Sequence, residues 1–144
     1  MNDRHITIGR VTSEFDKGIG WLVFDNQLRL NAMSLEMWAQ VEVILNDFMR
    51  NPEVKVVVMR GAGNQALISG ADISQFEAKR NDAETAKSYS LIADKARATM
   101  SSFEKPLIAM IQGFCFGAGV DIAMRADIQL VAEDAIFCIP AARL

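Results

Sequence analysis

The sequence predicts an α/β fold built on a parallel sheet, and three observations carry that prediction. Segments with helical periodicity alternate with short apolar runs along the chain. Two of those runs, "VKVVVM" from Val54 and "LIAMIQG" from Leu107, are nearly continuous in apolar residues, as in strands covered on both faces. An apolar strand, a glycine-bearing loop and a short G-x-D-I element also occur twice, as "VVVMRG…SGADI" and "LIAMIQG…AGVDI". Strand, loop, helix and strand in succession imply right-handed crossovers and parallel strands, with both glycine loops on the same edge of the sheet. Two loops on one edge can face one pocket.

The elements follow in order. "RHITIGRVTSEF" and "GIGWLVF" read as two strands joined at Asp16-Lys17-Gly18, where glycine supplies the positive φ of a tight hairpin. His5 falls in the first of these strands, far in sequence from either glycine loop, and reads as an exposed strand residue. Ser34 is placed to cap a long amphipathic helix in which Trp38, Val41, Leu45 and Phe48 recur at spacings of three and four. Asn51-Pro52 ends it. After the strand that closes at Arg60-Gly61, Asp72 can cap a short helix and Asp82 a longer one towards Phe103. Tyr89, Ala93, Ala96 and Met100 form the buried stripe of that longer helix. Lys105-Pro106 blocks its continuation, since proline disfavours helical geometry in the preceding residue. A helix from about Gly119 to Ala126 and a strand "IQLVAE" complete the order. No linker or low-complexity tract interrupts it, so residues 1–144 read as one domain.

Composition narrows the function classes. A length of 144 residues with 51% hydrophobic content is enough for a real core. The net charge of -3 leaves no broad basic face for nucleic acid. The apolar runs are far shorter than the roughly 20 residues that span a bilayer, and the N-terminus lacks the apolar core of a secretion signal. No membrane partner is expected, and the expected compartment is the cytoplasm. Cys115 and Cys138 show no metal-ligand spacing and read as reduced thiols packed as small hydrophobes. Neither they nor His5 suggest a metal site.

The stretch "GFCFGAGVDIAM" is the most unusual in the chain, with Gly113, Gly117 and Gly119 close together and Asp121 in the opening turn of an apolar helix. N–H groups at a helix start lack intrahelical partners, and small residues let a ligand approach them. Such a turn can cradle a phosphate or hold another oxyanion. The phosphate reading needs G-x-G-x-x-G, but from Gly117 the chain reads G-A-G-V-D-I, and no Walker motif occurs. An oxyanion site remains. Two N–H groups from separate loops, one near Gly117-Ala118 and one near Gly70-Ala71, suit a carbonyl oxygen that gains negative charge during enolate formation or acyl attack.

"RGAGNQALISGADI" and "KPLIAMIQGFCFGAGVDIAMRADIQLVAEDAIFCIP" resemble the two signature blocks of the crotonase family, the enoyl-CoA hydratase/isomerase superfamily. "LNAMS" at Leu30 to Ser34 resembles that family's adenine-side loop. The resemblance implies a ββα spiral, incomplete in this chain, that binds acyl-CoA thioesters. It implies that the backbone amides of Ala71 and Ala118 polarise the thioester carbonyl, and that Leu28, Arg29, Leu30, Ser69, Gly70, Asp72, Ile73 and Gly117 bind substrate. No separate cofactor is implied, because coenzyme A arrives with the substrate. The residue types leave plainer readings open: Arg29 as a solvated surface arginine, Asp72 as a cap, and Ile73, Met110, Met124, Phe114 and Phe116 as packing residues.

In the family the first acid/base carboxylate is usually a glutamate three residues after the second oxyanion donor, and here that place holds Asp121. A residue three beyond Ala118 lies on the same side of the first helical turn; an acid there also simply complements the helix dipole. The resemblance implies a second departure. Where hydratases of the family carry a glutamate after the proline of "F-x-x-P-E", this chain has Ala141 in "FCIPAARL". Water addition to a double bond needs one group to activate water and another to manage the α-proton. Glu133 and Asp134, in the turn before "AIFCIP", are weak replacements. The implied function is therefore an enoyl-CoA hydratase-like enzyme of fatty acid metabolism, with a single-acid isomerase, decarboxylase or hydrolase, or a non-catalytic acyl-CoA binder, as the alternative. The chain stops where the family continues with more spiral and with the C-terminal helices that build trimers. It is expected to be part of a longer protein, trimeric or hexameric at full length.

Overall fold

The computed structural model describes residues 9–74 and 83–140, apart from the side chains of residues 83–85. His5, the Asp82 cap and Ala141 lie outside the described residues.

The chain begins with an antiparallel hairpin of β1 (Arg10–Asp16) and β2 (Ile19–Asp25), in which Asp16 pairs with Ile19. Lys17 and Gly18 both take positive φ, 48° and 87°. That combination gives the two-residue turn whose twist matches the flanking strands. A short 3-10 turn (Gln27–Arg29) leads to α1 (Leu35–Arg50). Ser34 caps α1 as predicted, its side chain accepting from the Met37 N–H at 3.2 Å. Met37, Trp38, Val41, Leu45 and Phe48 are its buried face, one residue more than the periodicity alone identified.

From β3 (Val56–Gly61) the chain repeats one pattern. β3 is followed by β4 (Ala66–Ile68) and, further on, by α2 (Ala83–Ser101). β5 (Leu107–Ile111) is followed by β6 (Phe114–Phe116) and α3 (Ala118–Met124). Finally β7 (Ile128–Val131) is followed by β8 (Ile136–Cys138). The first strand of each unit joins a five-stranded sheet in the order β1-β2-β3-β5-β7, and the second joins a three-stranded sheet in the order β4-β6-β8. Among the described residues, all pairings between named strands after the hairpin are parallel, with one isolated antiparallel bridge between Ala66 and Gly113. The result is a ββα spiral, the fold class expected, represented in part.

The second sheet corrects the sequence reading in one respect. "FCF" reads as part of a glycine loop, yet it forms β6 between β4 and β8. Three-residue strands are too short to show a period of two, so their pattern was invisible.

Register explains the core. Leu22 pairs with Met59, and Met59 with Ala109; side chains in register share a face, so these three form a layer with α1 above it. All three are fully buried, as are Trp38, Val41 and Leu45. Ala93, Ala96 and Met100 of α2 join the same cluster, with Tyr89 packed at its margin. Small alanines at two of these positions let α2 approach closely. Cys115 is buried at the centre of the three-stranded sheet, and burial pushes its thiol up to about 11, so it remains a protonated hydrophobe. Cys138 departs from expectation, because it is exposed on β8. Met124 is likewise exposed rather than packed.

Candidate functional site

The two glycine loops meet. Gly70 and Gly117 have φ of 130° and 50°, in the region that favours glycine. A Cβ built on Gly117 would lie 3.9 Å from the Gly70 Cα, and one built on Gly70 would lie 4.0 Å from the Phe116 carbonyl oxygen. The loops that follow β4 and β6 therefore face one another with only main chain between them. Parallel pairing of β4 with β6 aligns their ends, and Gly119 permits the contact of α3 with Ile68, since a Cβ there would strike the Ile68 carbonyl.

Each loop is held from behind. Met33 N–H donates to Gly70 O and Asp72 N–H to Met33 O, both at 2.8 Å, forming a parallel bridge around Ala71. Gly117 N–H donates to Cys138 O at 2.9 Å, and Asp121 N–H to Gly117 O at 3.1 Å. Among the described residues, neither the Ala71 N–H nor the Ala118 N–H donates a hydrogen bond. Ala118 is the first residue of α3, where no intrahelical acceptor exists for its N–H.

The Leu28–Leu30 segment is strapped to the first loop. Ser69 N–H donates to Leu30 O and Ser69 Oγ to Arg29 O, both at 3.0 Å. The Arg29 guanidinium donates to Asp72 Oδ1 at 2.9 Å, and the same oxygen accepts from Ser74 N–H and Ser74 Oγ. Arg29 is thus ion-paired although half of its side chain is exposed, and Asp72 is a buried cap and ion-pair partner at once. Leu28 and Ile73 are strongly exposed, at 82% and 65%, so Ile73 is not a core residue. Leu28, Arg29, Leu30, Ser69, Gly70, Asp72, Ile73 and Gly117 therefore occupy one connected region.

A residue the sequence reading passed over organises this region. Asn31 has φ of 58° and is almost completely buried. Its side chain donates to Ala62 O and Ala66 O and accepts from Asn26 N–H, at 3.0, 2.9 and 3.0 Å. Asparagine tolerates the left-handed conformation and offers both donor and acceptor. "LNA" carries that signal locally, but its partners lie 31 and 35 residues away.

Asp121 sits on α3 with both carboxylate oxygens engaged. Oδ2 accepts from Arg97 Nε at 2.6 Å, and Oδ1 accepts from Arg125 Nε and Nη2 at 3.0 and 2.8 Å. A carboxylate has about four acceptor positions, so one on Oδ2 remains. Arg125 follows Asp121 by four residues, a helical pairing legible in the sequence; Arg97 comes from α2 and is not. Burial disfavours the Arg97 charge, but the hydrogen bonds and charges of Asp121 and Asp94 outweigh it and raise its pKa above the ordinary arginine value. Glu133 and Asp134 lie exposed in the turn before β8.

Other features lie apart from this region. A groove of about 530 Å³, lined by Trp21, Arg60, Met110, Gln112, Leu130 and others, belongs to the opposite face of the five-stranded sheet and contains none of the predicted site residues. Among the described residues no His, Cys, Asp and Glu cluster is arranged for a metal, and no helix is long and apolar enough to cross a membrane.

A substitution separates conformational strain from steric blockage here. Gly117→Ala finds room for its Cβ but must hold a φ of 50° with a ψ of -107°, at a cost of about 1–3 kcal/mol. A lowered urea midpoint with a retained circular dichroism spectrum in the absence of urea is the expected outcome.

The profile describing enoyl-CoA hydratase/isomerase matches residues 19–144. The chain is 28% identical over 130 residues to the short-chain-enoyl-CoA hydratase of Clostridium acetobutylicum, covering 90% of this chain and 49% of that protein. It is 27% identical to the peroxisomal Delta(3,5)-Delta(2,4)-dienoyl-CoA isomerase of Arabidopsis thaliana, covering 92% and 51%. Among solved structures, an enoyl-CoA hydratase/carnithine racemase from Magnetospirillum magneticum superimposes with a TM-score of 0.88 at 32% identity, covering 95% of this chain and 51% of that one. The chain spans about half the length of these relatives.

Proposed function

This chain belongs to the enoyl-CoA hydratase/isomerase family, and we propose that it binds an acyl-CoA thioester between the loops at residues 69–73 and 117–118. In this reading the Ala71 and Ala118 N–H groups donate to the thioester oxygen. Hydrogen bonds aimed at that oxygen strengthen as it gains charge, so they favour the enolate over the thioester; each such donor contributes about 3–4 kcal/mol to a transition state. The observation that supports this most is the approach of Gly70 to Gly117, with two N–H groups that no acceptor among the described residues takes. Leu28, Arg29, Leu30, Ser69, Asp72 and Ile73 flank the thioester, and the Arg29–Asp72 pair sets the position of the outer loop.

Asp121 carries the proton at the α-carbon through the acceptor position left on Oδ2. With Ala141 at the place of a second acid, three outcomes divide the reading. The hydratase-like reaction requires another group to activate water. A single-acid isomerase or decarboxylase does not, a single-acid hydrolase would use Asp121 itself to activate water in place of moving the α-proton, and binding without turnover needs no acid at all. The proposal includes no metal or separate cofactor, a single spiral core domain, a cytoplasmic location, and trimers or hexamers for the full-length protein.

Incubation with crotonyl-CoA and a 3-enoyl-CoA in deuterated water tests it. Water addition selects the hydratase, double-bond migration or α-deuteration alone selects the single-acid reaction, and binding without exchange selects the passive binder. Failure to bind any acyl-CoA contradicts the proposal.

A further inference from the structure

We infer that Arg97 is a positioning residue that fixes the Asp121 carboxylate from α2, an inference that rests on the reading of Asp121 as the proton carrier. The Arg97 guanidinium is restrained on three sides. Nε donates to Asp121 Oδ2 at 2.6 Å, Nη1 donates to Asp94 Oδ1 at 2.9 Å, and its central carbon lies 4.8 Å from the Trp38 ring centroid. A cation over an indole face is attracted by the ring quadrupole. That face is itself immobile, because Trp38 is 1% exposed and its Nε1 donates to Tyr89 Oη at 3.0 Å.

Arg97 therefore links the buried face of α1, through Trp38, to Asp121 by a rigid planar fork. Arg125 holds the other oxygen, and its Nη1 donates to Ser101 Oγ at the end of α2. With both oxygens anchored, the carboxylate cannot rotate about its Cβ–Cγ bond without breaking a charge-assisted hydrogen bond. Anchoring matters more for aspartate than for a longer acid, since a short side chain cannot compensate a misplaced backbone by changing rotamer. Small misplacements of a proton carrier reduce rate steeply.

Lysine at position 97 keeps the charge and most of the aliphatic stem, but lacks the fork that reaches Asp121 and Asp94 together. Methionine keeps only the stem. The experiment compares this chain with Asp121→Asn, Arg97→Lys and Arg97→Met, measuring deuterium exchange into the α-carbon of butyryl-CoA by mass spectrometry over a range of ligand concentration, with thermal melts to confirm folding. The inference expects Arg97→Met to lower the exchange rate at saturation by about tenfold or more, with half-saturation within about twofold of the parent, and Arg97→Lys to restore part of the loss.

Loss of exchange in Asp121→Asn with parent rates in both Arg97 variants overturns the inference and leaves the Asp121 reading intact. A change confined to half-saturation overturns it too, since that is a binding effect. Absence of exchange in the parent chain, or parent exchange in Asp121→Asn, overturns the Asp121 reading and the inference with it. Should Arg97→Met not fold, the saturated rate of Arg97→Lys decides: a lowered rate supports the inference and a parent rate overturns it.

Discussion

Asp121→Asn is expected to lower turnover by about a hundred- to ten-thousand-fold, the range that a positioned acid or base contributes, while the dissociation constant for acyl-CoA stays close to that of the parent. The separation follows from geometry. Substrate carbonyl recognition is assigned to main-chain donors at Ala71 and Ala118, which the substitution does not touch, whereas proton movement is assigned to a side chain that asparagine replaces with a nearly isosteric group unable to accept a proton. The substitution also weakens two ion pairs on a side chain that is 30% exposed. Solvent screening limits that loss to about 1 kcal/mol, far too little to unfold the domain, so a thermal melt distinguishes lost chemistry from lost fold. Isothermal titration with butyryl-CoA beside a turnover assay checks the result. Unchanged turnover removes Asp121 from the mechanism and leaves it as a tie between α2 and α3.

Gly113→Ala is expected to cost more than about 4 kcal/mol, at the exceptional end for a point substitution and comparable to the whole stability of many domains. Gly113 sits at the corner where the chain leaves the five-stranded sheet and enters the three-stranded one, with φ of 59°. A Cβ there would land on the Gln65 carbonyl oxygen and lie 3.1 Å from Ala66 N. These are backbone atoms of the neighbouring turn, and Phe114 N–H bonds to that same Gln65 oxygen at 3.0 Å. Neither strand can move aside without breaking the β4–β6 pairing that aligns the two loops. Gly18→Ala is the control, since its φ of 87° carries strain but the nearest atom to a Cβ there is a flexible lysine carbon at 3.5 Å. Urea denaturation followed by circular dichroism should show Gly18→Ala folded with a lowered midpoint and Gly113→Ala unfolded or close to it.

These two positions illustrate what a sequence discloses and what it does not. The hairpin at Lys17-Gly18, the Ser34 cap and the apolar face of α1 were legible because each depends on residues within a few positions of one another. The repeated G-x-D-I element disclosed the parallel sheet and the shared edge of its two loops, whereas the spiral itself was implied by the resemblance to crotonases. β4, β6 and β8 were not legible. They are three residues long, and their strand character comes from pairing with one another across the fold. The same distinction runs through the site. Ala71, Ala118 and Asp121 lie in local motifs that the resemblance to crotonases identified. Asn31 and Arg97 act through partners on other elements. Asp72 reads as a cap and, through the resemblance, as a substrate-lining residue, but its burial against Arg29 depends on a partner 43 positions away folding back. Exposure misled in the other direction at Cys138 and Met124, whose apolar character suggested packing that the described residues do not provide.

The most direct measurement of the central claim is a ¹⁵N–¹H correlation spectrum recorded while butyryl-CoA is titrated into the protein, with resonances assigned for the two loops. Two donors converging on one thioester oxygen predict that the Ala71 and Ala118 amides both move downfield and follow a single binding curve. Movement of only one of them, or of neither while other residues report binding, contradicts that convergence.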